Sequence, residues 1–225
     1  RYERRLRRKD GGELWAMVSA KALMDGHGDF AGSFAMFTDI STRKRSEVIL
    51  QTRLRLMHFA VTHSLKELLA ATIDEAVKLT GSQVGFYHFV DPDEKTLSLA
   101  ARSTATPLGM SCDESESNRC DIATSEIFVE CIHKRRPVIR NDPPSPPRRT
   151  GLPAGHAPPA RGLAVPVFRQ NRIVAILGLG DKPGAYNQTD IDSVCLLADM
   201  AWDVAEHKQI EASLRHSEAH LRTLV

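Results

Sequence analysis

The 225-residue sequence contains no uninterrupted apolar run near the roughly 20 residues that a membrane-spanning helix needs. It also lacks the pattern of a signal peptide, because it opens on Arg1, Tyr2 and Glu3 without an initiator Met. We therefore expect a cytoplasmic protein with no direct membrane insertion, and we expect the chain to be a piece of something longer. The net charge of +2 is too close to zero to predict binding to nucleic acid.

Cysteine is scarce and is not paired in the sequence. Cys112, Cys120, Cys131 and Cys195 form no CxxC pair, so we expect reduced thiols. Only Cys131 and His133 lie close enough to suggest shared metal ligation, and two positions apart on a helix they point to different sides. No metal site is therefore expected. A glycine-rich phosphate loop and a nucleophile–base constellation are also missing, so we do not expect the chain to be an enzyme in itself.

The first forty residues have the composition of β-structure. Strand-forming segments cover residues 2–9, 13–20 and 30–38. Between them lie glycine-containing turns at 10–12 and 25–29, which allow the positive φ angles of tight hairpins. The sequence therefore predicts three antiparallel strands.

From Ser41 onward the apolar spacing becomes that of a helix. One stripe joins Leu50, Leu54, Met57, Val61, Leu65 and Leu68. Their spacings of three and four residues predict a continuous helix over 42–79 whose apolar seam packs against a second helix. A similar pattern predicts a helix over 189–224. We expect both helices to pack on one face of a sheet and to pair with those of a second copy, giving a homodimer.

The central region alternates between strand and turn signals. Strands are predicted at 83–90, 96–102, 137–140, 162–168 and 172–179, with a short helix at 125–134. In the first of these strands Val84, Phe86, His88 and Val90 share one face, because side chains alternate along a strand. Seven of the 12 prolines crowd into 143–159, which predicts a stiff, irregular loop.

Two stretches near the start resemble PAS sensor domains. The sequence RLRRKDG at 5–11 is similar to a late PAS strand, and GSFAMFTDIS at 32–41 resembles the last PAS strand and its exit motif. The resemblance implies that Asp39 and Ser41 connect the sheet to the outgoing helix and relay a signal there. Only the C-terminal strands of a PAS domain are present, so residues 1–41 are expected to be an incomplete domain.

The remainder of the chain resembles the GAF domains of bacterial multidomain sensors. The matching stretches, in the order of that family, are RRPVIRND at 135–142, GLPAGHAP at 151–158, VPVF at 165–168, IVAILG at 173–178 and DKP at 181–183. The resemblance implies an α+β fold, with a GAF-like antiparallel sheet and flanking helices after the three-stranded PAS fragment. It implies a linker helix at 42–55, a GAF domain at 56–206 and an outgoing helix at 207–225 that leads toward a following domain.

The GAF resemblance also implies a ligand pocket on the side of residues 103–161. The candidate ligand-binding residues are Phe86, His88, Cys131, His156 and Arg161. For His156 two interpretations stay open, since in its proline-rich surroundings it either binds an anionic or polar ligand or caps the loop. The ligand is unknown, and the sequence requires no cofactor.

GAF domains that bind cyclic nucleotides carry Asn-Lys, then Phe, then Asp-Glu. The corresponding positions here are Asp181-Lys182, Tyr186, Asp190 and Ile191, so cyclic-nucleotide binding is not expected. Haem is not expected either. A structural ion pair between Lys182 and Asp190 remains and is expected to be exposed, contributing about 0–1 kcal/mol.

Taken with these resemblances, the sequence predicts a sensory and signal-relay module. A small molecule bound by the GAF domain would alter the helical linkers and so a downstream output domain. The resemblance implies that the parent protein is a sensor histidine kinase or diguanylate cyclase. The alternative is a ligand-free structural spacer that only dimerises.

Overall fold

The chain forms two compact units, which divide between Thr52 and Arg53. The computed structural model describes residues 1–9, 12–107, 119–122, 125–142 and 160–222. Each unit has its own antiparallel sheet, of three strands in the first and six in the second. The predicted α+β fold with two antiparallel sheets and flanking helices is therefore confirmed.

The first unit is a meander of three strands. They are β1 (Tyr2–Arg7), β2 (Glu13–Met24) and β3 (Phe30–Asp39), hydrogen-bonded in the order β1-β2-β3. The β2–β3 turn is fixed by the Asp25 carboxylate, which accepts hydrogen bonds from the backbone amides of His27 and Asp29 at 2.8 and 3.0 Å. Such Asx turns satisfy backbone donors that no strand partner reaches.

The second unit contains a six-stranded sheet and the remaining helices. Its strands are β4 (Val84–Val90), β5 (Thr96–Arg102), β6 (Arg119–Asp121), β7 (Val138–Arg140), β8 (Gly162–Arg169) and β9 (Arg172–Gly180), in the order β6-β5-β4-β9-β8-β7. The helices are α1 (Ser41–Thr62), which begins in the first unit, α2 (Leu65–Thr80), α3 (Glu126–Lys134) and α4 (Gln188–Arg222). The five predicted strands of this region are all present, and β6 is an addition.

The prediction of one continuous helix over 42–79 is wrong. The helix breaks between Thr62 and Leu65 because Ser64 forms a capping box with Glu67. The Ser64 hydroxyl accepts a hydrogen bond from the Glu67 backbone amide at 3.3 Å, and the Ser64 amide donates to the Glu67 carboxylate at 2.8 Å. These bonds satisfy the free amides of a new helix start, so a second helix begins here.

The end of α1 is held by the last helix. Lys208 of α4 donates a hydrogen bond from Nζ to the carbonyl oxygen of His63 at 2.7 Å. The His63 ring stacks on Phe59, with the ring centroids 3.5 Å apart. A cation at a helix C-terminus also interacts favourably with the helix dipole. The break between α1 and α2 is thus a defined joint, contacted by α4.

The break also divides the predicted apolar stripe, whose last two positions belong to α2. On α1, Leu54, Met57 and Val61 are 60%, 47% and 80% exposed. The side of α1 that packs into the core instead carries Leu56 and Ala60, which are buried. The α1 part of the stripe is therefore an exposed apolar seam within one copy, and its pairing with a second copy stays a prediction.

Helices cover both faces of the six-stranded sheet. On one face α2 and α4 pack over a large core that includes Tyr87, Val165 and Leu177. On the other face α3 packs over a smaller cluster, called the α3 cluster here, which consists of Val90, Leu97, Phe128, Cys131, Val138, Ala164, Ile173 and Ile176. Alternate residues of β4, β8 and β9 reach opposite faces, so each of these strands contacts both layers of helices.

Candidate functional site

Strand β4 places His88 against the α3 cluster. The His88 side chain is only 5% exposed. Its ring meets the Phe128 ring of α3 edge-on, with centroids 5.2 Å apart and planes at 63°, and the Phe86 ring lies 6.2 Å away. The predicted site residues Phe86 and His88 therefore lie together on the α3 side of the sheet.

The imidazole of His88 is an unsatisfied polar group. Its Nδ1 atom is buried and has no hydrogen-bond partner. Burial lowers the pKa of His88 to about 4, so the ring is neutral at pH 7. Nearly all buried polar atoms in proteins find a partner, and leaving one unpaired costs about 1–3 kcal/mol. A bound molecule that pairs with Nδ1 of His88 would remove this cost.

Helix α3 is held close to the sheet on this face. An added Cβ at Gly178 of β9 would lie 2.7 Å from two ring atoms of Phe128, so only glycine lets the ring approach. Arg140 of β7 pairs with Glu126 and Glu130 of α3, each at 3.1 Å. The charged side chains of α3 are thus turned to the edge of the sheet, and the interior is left apolar.

Cys131 is a packing residue in this arrangement. It is fully buried within the α3 cluster, and its Sγ lies 3.8 Å from the carbonyl oxygen of Ala164. Burial raises the pKa of the Cys131 thiol to about 12 and that of Cys195 to about 11, so neither is a reactive thiolate at neutral pH. Across the described residues, no group of three or more His, Cys, Asp and Glu side chains could hold a metal ion.

The other two predicted ligand-binding residues are placed differently. Arg161 donates hydrogen bonds to the backbone carbonyls of Lys182 and Pro183 at 3.4 and 3.2 Å, so it supports the loop before α4. His156 lies outside the described residues. Its role stays a prediction.

The neighbours of His88 along β4 contact α4 on the opposite face. The Tyr87 hydroxyl donates to the carbonyl oxygen of Ala198 at 3.2 Å. The Phe89 ring meets Trp202 edge-on, with centroids 5.7 Å apart. Three consecutive residues therefore join the α3 side of the sheet to α4. The period-2 alternation of β4 could have indicated that Tyr87 and Phe89 face away from His88, but not that they meet α4.

A second contact fixes α4 to the sheet edge. Arg169 at the end of β8 pairs with Asp199 at 3.2 Å and with Asp203, one helical turn apart on α4. The β8–β9 turn that follows contains Gln170 and Asn171 at φ angles of 46° and 63°. Left-handed residues of this type match the twist of a tight hairpin, so the turn keeps Arg169 beside the helix.

The start of α4 is held by the Lys182–Asp190 ion pair. The Nζ and Oδ2 atoms are 2.6 Å apart, and the side chains are 16% and 8% exposed. Asp190 also accepts a hydrogen bond from the backbone amide of Asn187 at 2.9 Å. The expectation of an exposed pair is wrong, because Lys182 lies against the Tyr186 ring, 5.3 Å from its centroid. Partial burial makes the pair harder to break than a surface one.

Tyr186 extends this network to two other elements. Its backbone amide and carbonyl exchange hydrogen bonds with the Asn141 side chain at 2.7 and 3.1 Å. Its hydroxyl is 2.7 Å from the Ser82 hydroxyl, just after α2. Burial raises the pKa of Tyr186 to about 12, so the phenol stays protonated. The loop before α4 is therefore tied both to the end of β7 and to the end of α2.

The predicted relay residues of the first unit form a turn at the start of α1. Asp39 accepts a hydrogen bond from the Ser41 amide at 2.8 Å and one from the Arg8 side chain at 3.1 Å. Hydrogen bonds from the Ser41 side chain and amide lower the pKa of Asp39. The Ser41 hydroxyl in turn accepts from the Trp15 amide at 2.9 Å. Both residues thus connect the sheet to the helix start, and their part in relay stays a prediction.

The described residues also form an open groove of about 450 Å³ beside α2. Its lining comprises Lys66, Ala70, Ala101, Arg102, Ser103, Thr104 and Thr106. None of the predicted binding residues lines it. Its polar walls are already used internally, since Thr104 bonds to Asp74 and Ser103 to Thr106. We therefore place the candidate site at His88 and not in this groove.

A sequence model of the GAF domain matches residues 62–206, well over half of the chain. The chain belongs to the GAF domain family. In this GAF domain His88 lies on the side of the sheet where the family resemblance predicted a pocket. The described residues include no helix of the length and apolar character that crossing a membrane requires.

The GAF domain and the residues before it are also similar to a protein named as a sensor. The chain is 33% identical over 218 residues to the methyl sulfide methyltransferase-associated sensor of Methanosarcina acetivorans. That match covers 92% of this chain and 21% of the relative, so the chain spans about a fifth of the length of the relative.

Solved structures of the same fold come from proteins with different activities. The free methionine-R-sulfoxide reductase of Neisseria meningitidis is 18% identical with a TM-score of 0.56, covering 74% of this chain and 91% of that one. The GAF domain of an Acinetobacter phosphoenolpyruvate-protein phosphotransferase is 16% identical with a TM-score of 0.55, covering 72% and 94%. At such identities the likeness concerns the fold alone.

Proposed function

We propose that the chain is a sensory and relay module of a larger signalling protein. A small molecule binds on the α3 side of the GAF sheet, beside Phe86 and His88, and changes how α4 packs on the other side. The helical linkers then carry the change to an output domain. The likeness to a protein named as a sensor supports this assignment.

One observation carries the proposal, namely that β4 contacts both layers of helices through consecutive residues. His88 contacts α3, while Tyr87 and Phe89 contact Ala198 and Trp202 of α4. A shift of β4 on ligand binding would therefore act directly on α4. Such a ligand changes the population of two α4 packings by no more than its difference in affinity for them.

We extend the proposal to the rest of the longer protein. Residues 1–41 are assigned to the C-terminal part of a PAS domain, followed by a linker helix at 42–55, the GAF domain at 56–206 and an outgoing helix at 207–225. In support, Phe34 and Met36, which lie on the same face of β3, are 62% and 50% exposed, as expected for a sheet that further chain covers. The output domain is a histidine kinase or a diguanylate cyclase, as the GAF resemblance implies.

We further propose that the chain itself has no catalytic activity. The two thiols whose side chains are described, Cys131 and Cys195, are held protonated by burial. A thiol in that state is a poor nucleophile. These two described thiols therefore give no support for carrying the reductase activity of the Neisseria protein over to this chain.

The first test concerns the ligand and the relay. The Trp15→Phe chain keeps Trp202 as its only tryptophan, and its emission reports on the packing of α4. We expect native mass spectrometry of the purified chain to show a bound small molecule above the 24.9 kDa polypeptide. Unfolding in urea, dialysis and refolding should remove that mass and shift the Trp202 emission.

The matched control for the relay is Phe89→Leu, which removes the ring contact to Trp202. In this variant the bound mass should remain, while the emission change on ligand removal should shrink. If the purified chain carries no added mass and a metabolite library gives no thermal shift, the spacer alternative replaces the sensory one. If a ligand is present but Trp202 does not respond to its removal, the relay through β4 is refuted.

The second test concerns dimerisation, which both functions require. We propose that the seam of Leu54, Met57 and Val61 packs against the same seam of a second copy, because apolar spacings of three and four predict paired helices. The Leu54→Lys/Val61→Lys variant should be monomeric by analytical ultracentrifugation where the wild type is a dimer. Gln51→Lys, on a polar flank of α1, is the control and should leave the dimer intact. The proposal would be contradicted if the wild type were still a monomer when the ultracentrifugation is repeated at a 100-fold higher protein concentration.

A further inference from the structure

The surroundings of His88 indicate what kind of molecule it recognises. All members of the α3 cluster are apolar or, in the case of Cys131, a protonated thiol. The partly buried side chains that pack on the cluster are Ile122, Ile127, Ile132 and Phe168. Against this apolar background His88 Nδ1 is a buried nitrogen without a partner. The described side chains around His88 are thus apolar or uncharged, and Nδ1 of His88 is the buried polar atom among them that has no partner.

We propose that the ligand is an uncharged and mostly apolar small molecule with one hydroxyl-type group, and that this group pairs with Nδ1 of His88. The inference rests on the proposed function, since it assigns a chemical class to the ligand of the same site. It adds that His88 is the residue that distinguishes this ligand from a purely apolar molecule of similar size.

The absence of charge in the ligand follows from the charges around the site. Among the residues that the structure describes, the charged side chains of α3 and of β7 beside it are already paired with each other, Arg140 with Glu126 and Glu130, and Lys134 with Glu130. His88 itself stays neutral at pH 7 because burial lowers its pKa to about 4. A charged ligand would therefore lose its water without gaining an opposite charge, which is strongly unfavourable.

The single hydroxyl-type group follows from the chemistry of the imidazole. A neutral ring has one nitrogen that donates and one that accepts, and its hydrogen position is not fixed by any partner of Nδ1. A hydroxyl both donates and accepts, so it fits either tautomer. A larger polar surface would face the apolar side chains of the cluster and leave its own groups unsatisfied. The competing partner of Nδ1 is one buried water molecule.

Three matched probes test the assignment on the full 225-residue chain. Toluene, p-cresol and p-toluate share one ring and differ by having no polar group, a hydroxyl or a carboxylate. We expect isothermal titration calorimetry at pH 7.5 to give p-cresol a Kd about ten-fold below that of toluene, as one net hydrogen bond provides. Binding of p-toluate should not be detectable.

Variants at His88 then test the role of Nδ1. His88→Asn keeps a polar atom near the Nδ1 position and should keep most of the ten-fold preference for p-cresol. His88→Leu removes it, so toluene and p-cresol should bind equally. Far-UV circular dichroism confirms that each variant is folded, and His58→Leu on the exposed side of α1 is the control.

The remaining outcomes separate this inference from the proposed function. Equal binding of toluene and p-cresol to the wild type would overturn the pairing with His88 and assign Nδ1 to a water molecule. Preferred binding of p-toluate would overturn the uncharged class. If no probe binds while native mass spectrometry shows a retained ligand, the ligand class is wrong and the sensory function stands. If neither experiment detects binding, both proposals fail.

Discussion

Replacing Gly85 with alanine is expected to lower the free energy of unfolding of the GAF domain by about 3 kcal/mol, near the upper end for overpacked cores. The added Cβ would clash with Cγ2 of Ile73 and lie 3.0 Å from side-chain atoms of Val77 and Leu179. Ile73 is fully buried between α2 and the sheet, so it cannot move away without displacing its neighbours. Urea denaturation of the Trp15→Phe background, followed by Trp202 fluorescence, measures the change.

Two further variants test whether the close approach of α2 to β4 causes this loss of stability. Gly184→Ala adds the same methyl group where no atom lies within 4 Å, so it should change the free energy by less than about 0.5 kcal/mol. In the Ile73→Ala background, which removes the clashing atom, Gly85→Ala should cost at least about 1 kcal/mol less than alone. Equal costs in both backgrounds would show that the clash with Ile73 is not the cause.

Acidification is expected to destabilise the GAF domain through His88. In the folded chain burial lowers the pKa of His88 to about 4, whereas an exposed histidine in the unfolded chain titrates near 6.5. As the pH falls below 6.5, the unfolded state therefore takes up a proton that the folded state does not, and unfolding becomes more favourable. The contribution of the neutral His88 to the free energy of unfolding is present above pH 6.5 and is lost as the pH falls toward 4. Between pH 7 and pH 5 the loss is about 2 kcal/mol.

A comparison with His88→Asn isolates this contribution from the other titrating groups. Urea unfolding at pH 7, 6 and 5 should show the wild type losing about 2 kcal/mol more than the variant over that range. His58→Asn, which changes an exposed histidine of α1, should follow the wild type. Parallel pH profiles for the wild type and His88→Asn would mean that His88 is hydrated or partnered in the folded state.

The strands could be predicted because each depends on a local pattern. The alternation of Val84, Phe86, His88 and Val90 predicts both a strand and a set of side chains on one face, and two of the site residues belong to that set. The strand β6 has only three residues and pairs with β5 alone, so it leaves no such pattern. Its existence depends on a neighbour that a local reading of the sequence does not include.

The sequence contains the signal for the break between α1 and α2. The residues of the capping box, Ser64 and Glu67, stand at the required spacing in the sequence. The apolar stripe runs through them in phase, because the helices before and after the break happen to continue the same spacing. Capping chemistry decided the structure here, and hydrophobic periodicity did not.

The link between the site and α4 could not be predicted. Tyr87 and Ala198 are 111 positions apart, and Phe89 meets Trp202 only because α4 crosses β4 on the face opposite α3. The partial burial of Lys182 and Asp190 likewise depends on Tyr186 and the elements that surround it. Such features follow from the packing of distant elements, which one sequence does not specify.

The joint at His63 and Ser64 has a mechanical consequence. A continuous helix would pass a twist from α1 to α2 along its own backbone, whereas two helices with separate ends can swivel against each other. The hydrogen bond from Lys208 to His63 then joins the tip of α1 to α4 directly. In the proposed relay, a rotation of α1 would therefore have a route into α4 that need not cross the sheet.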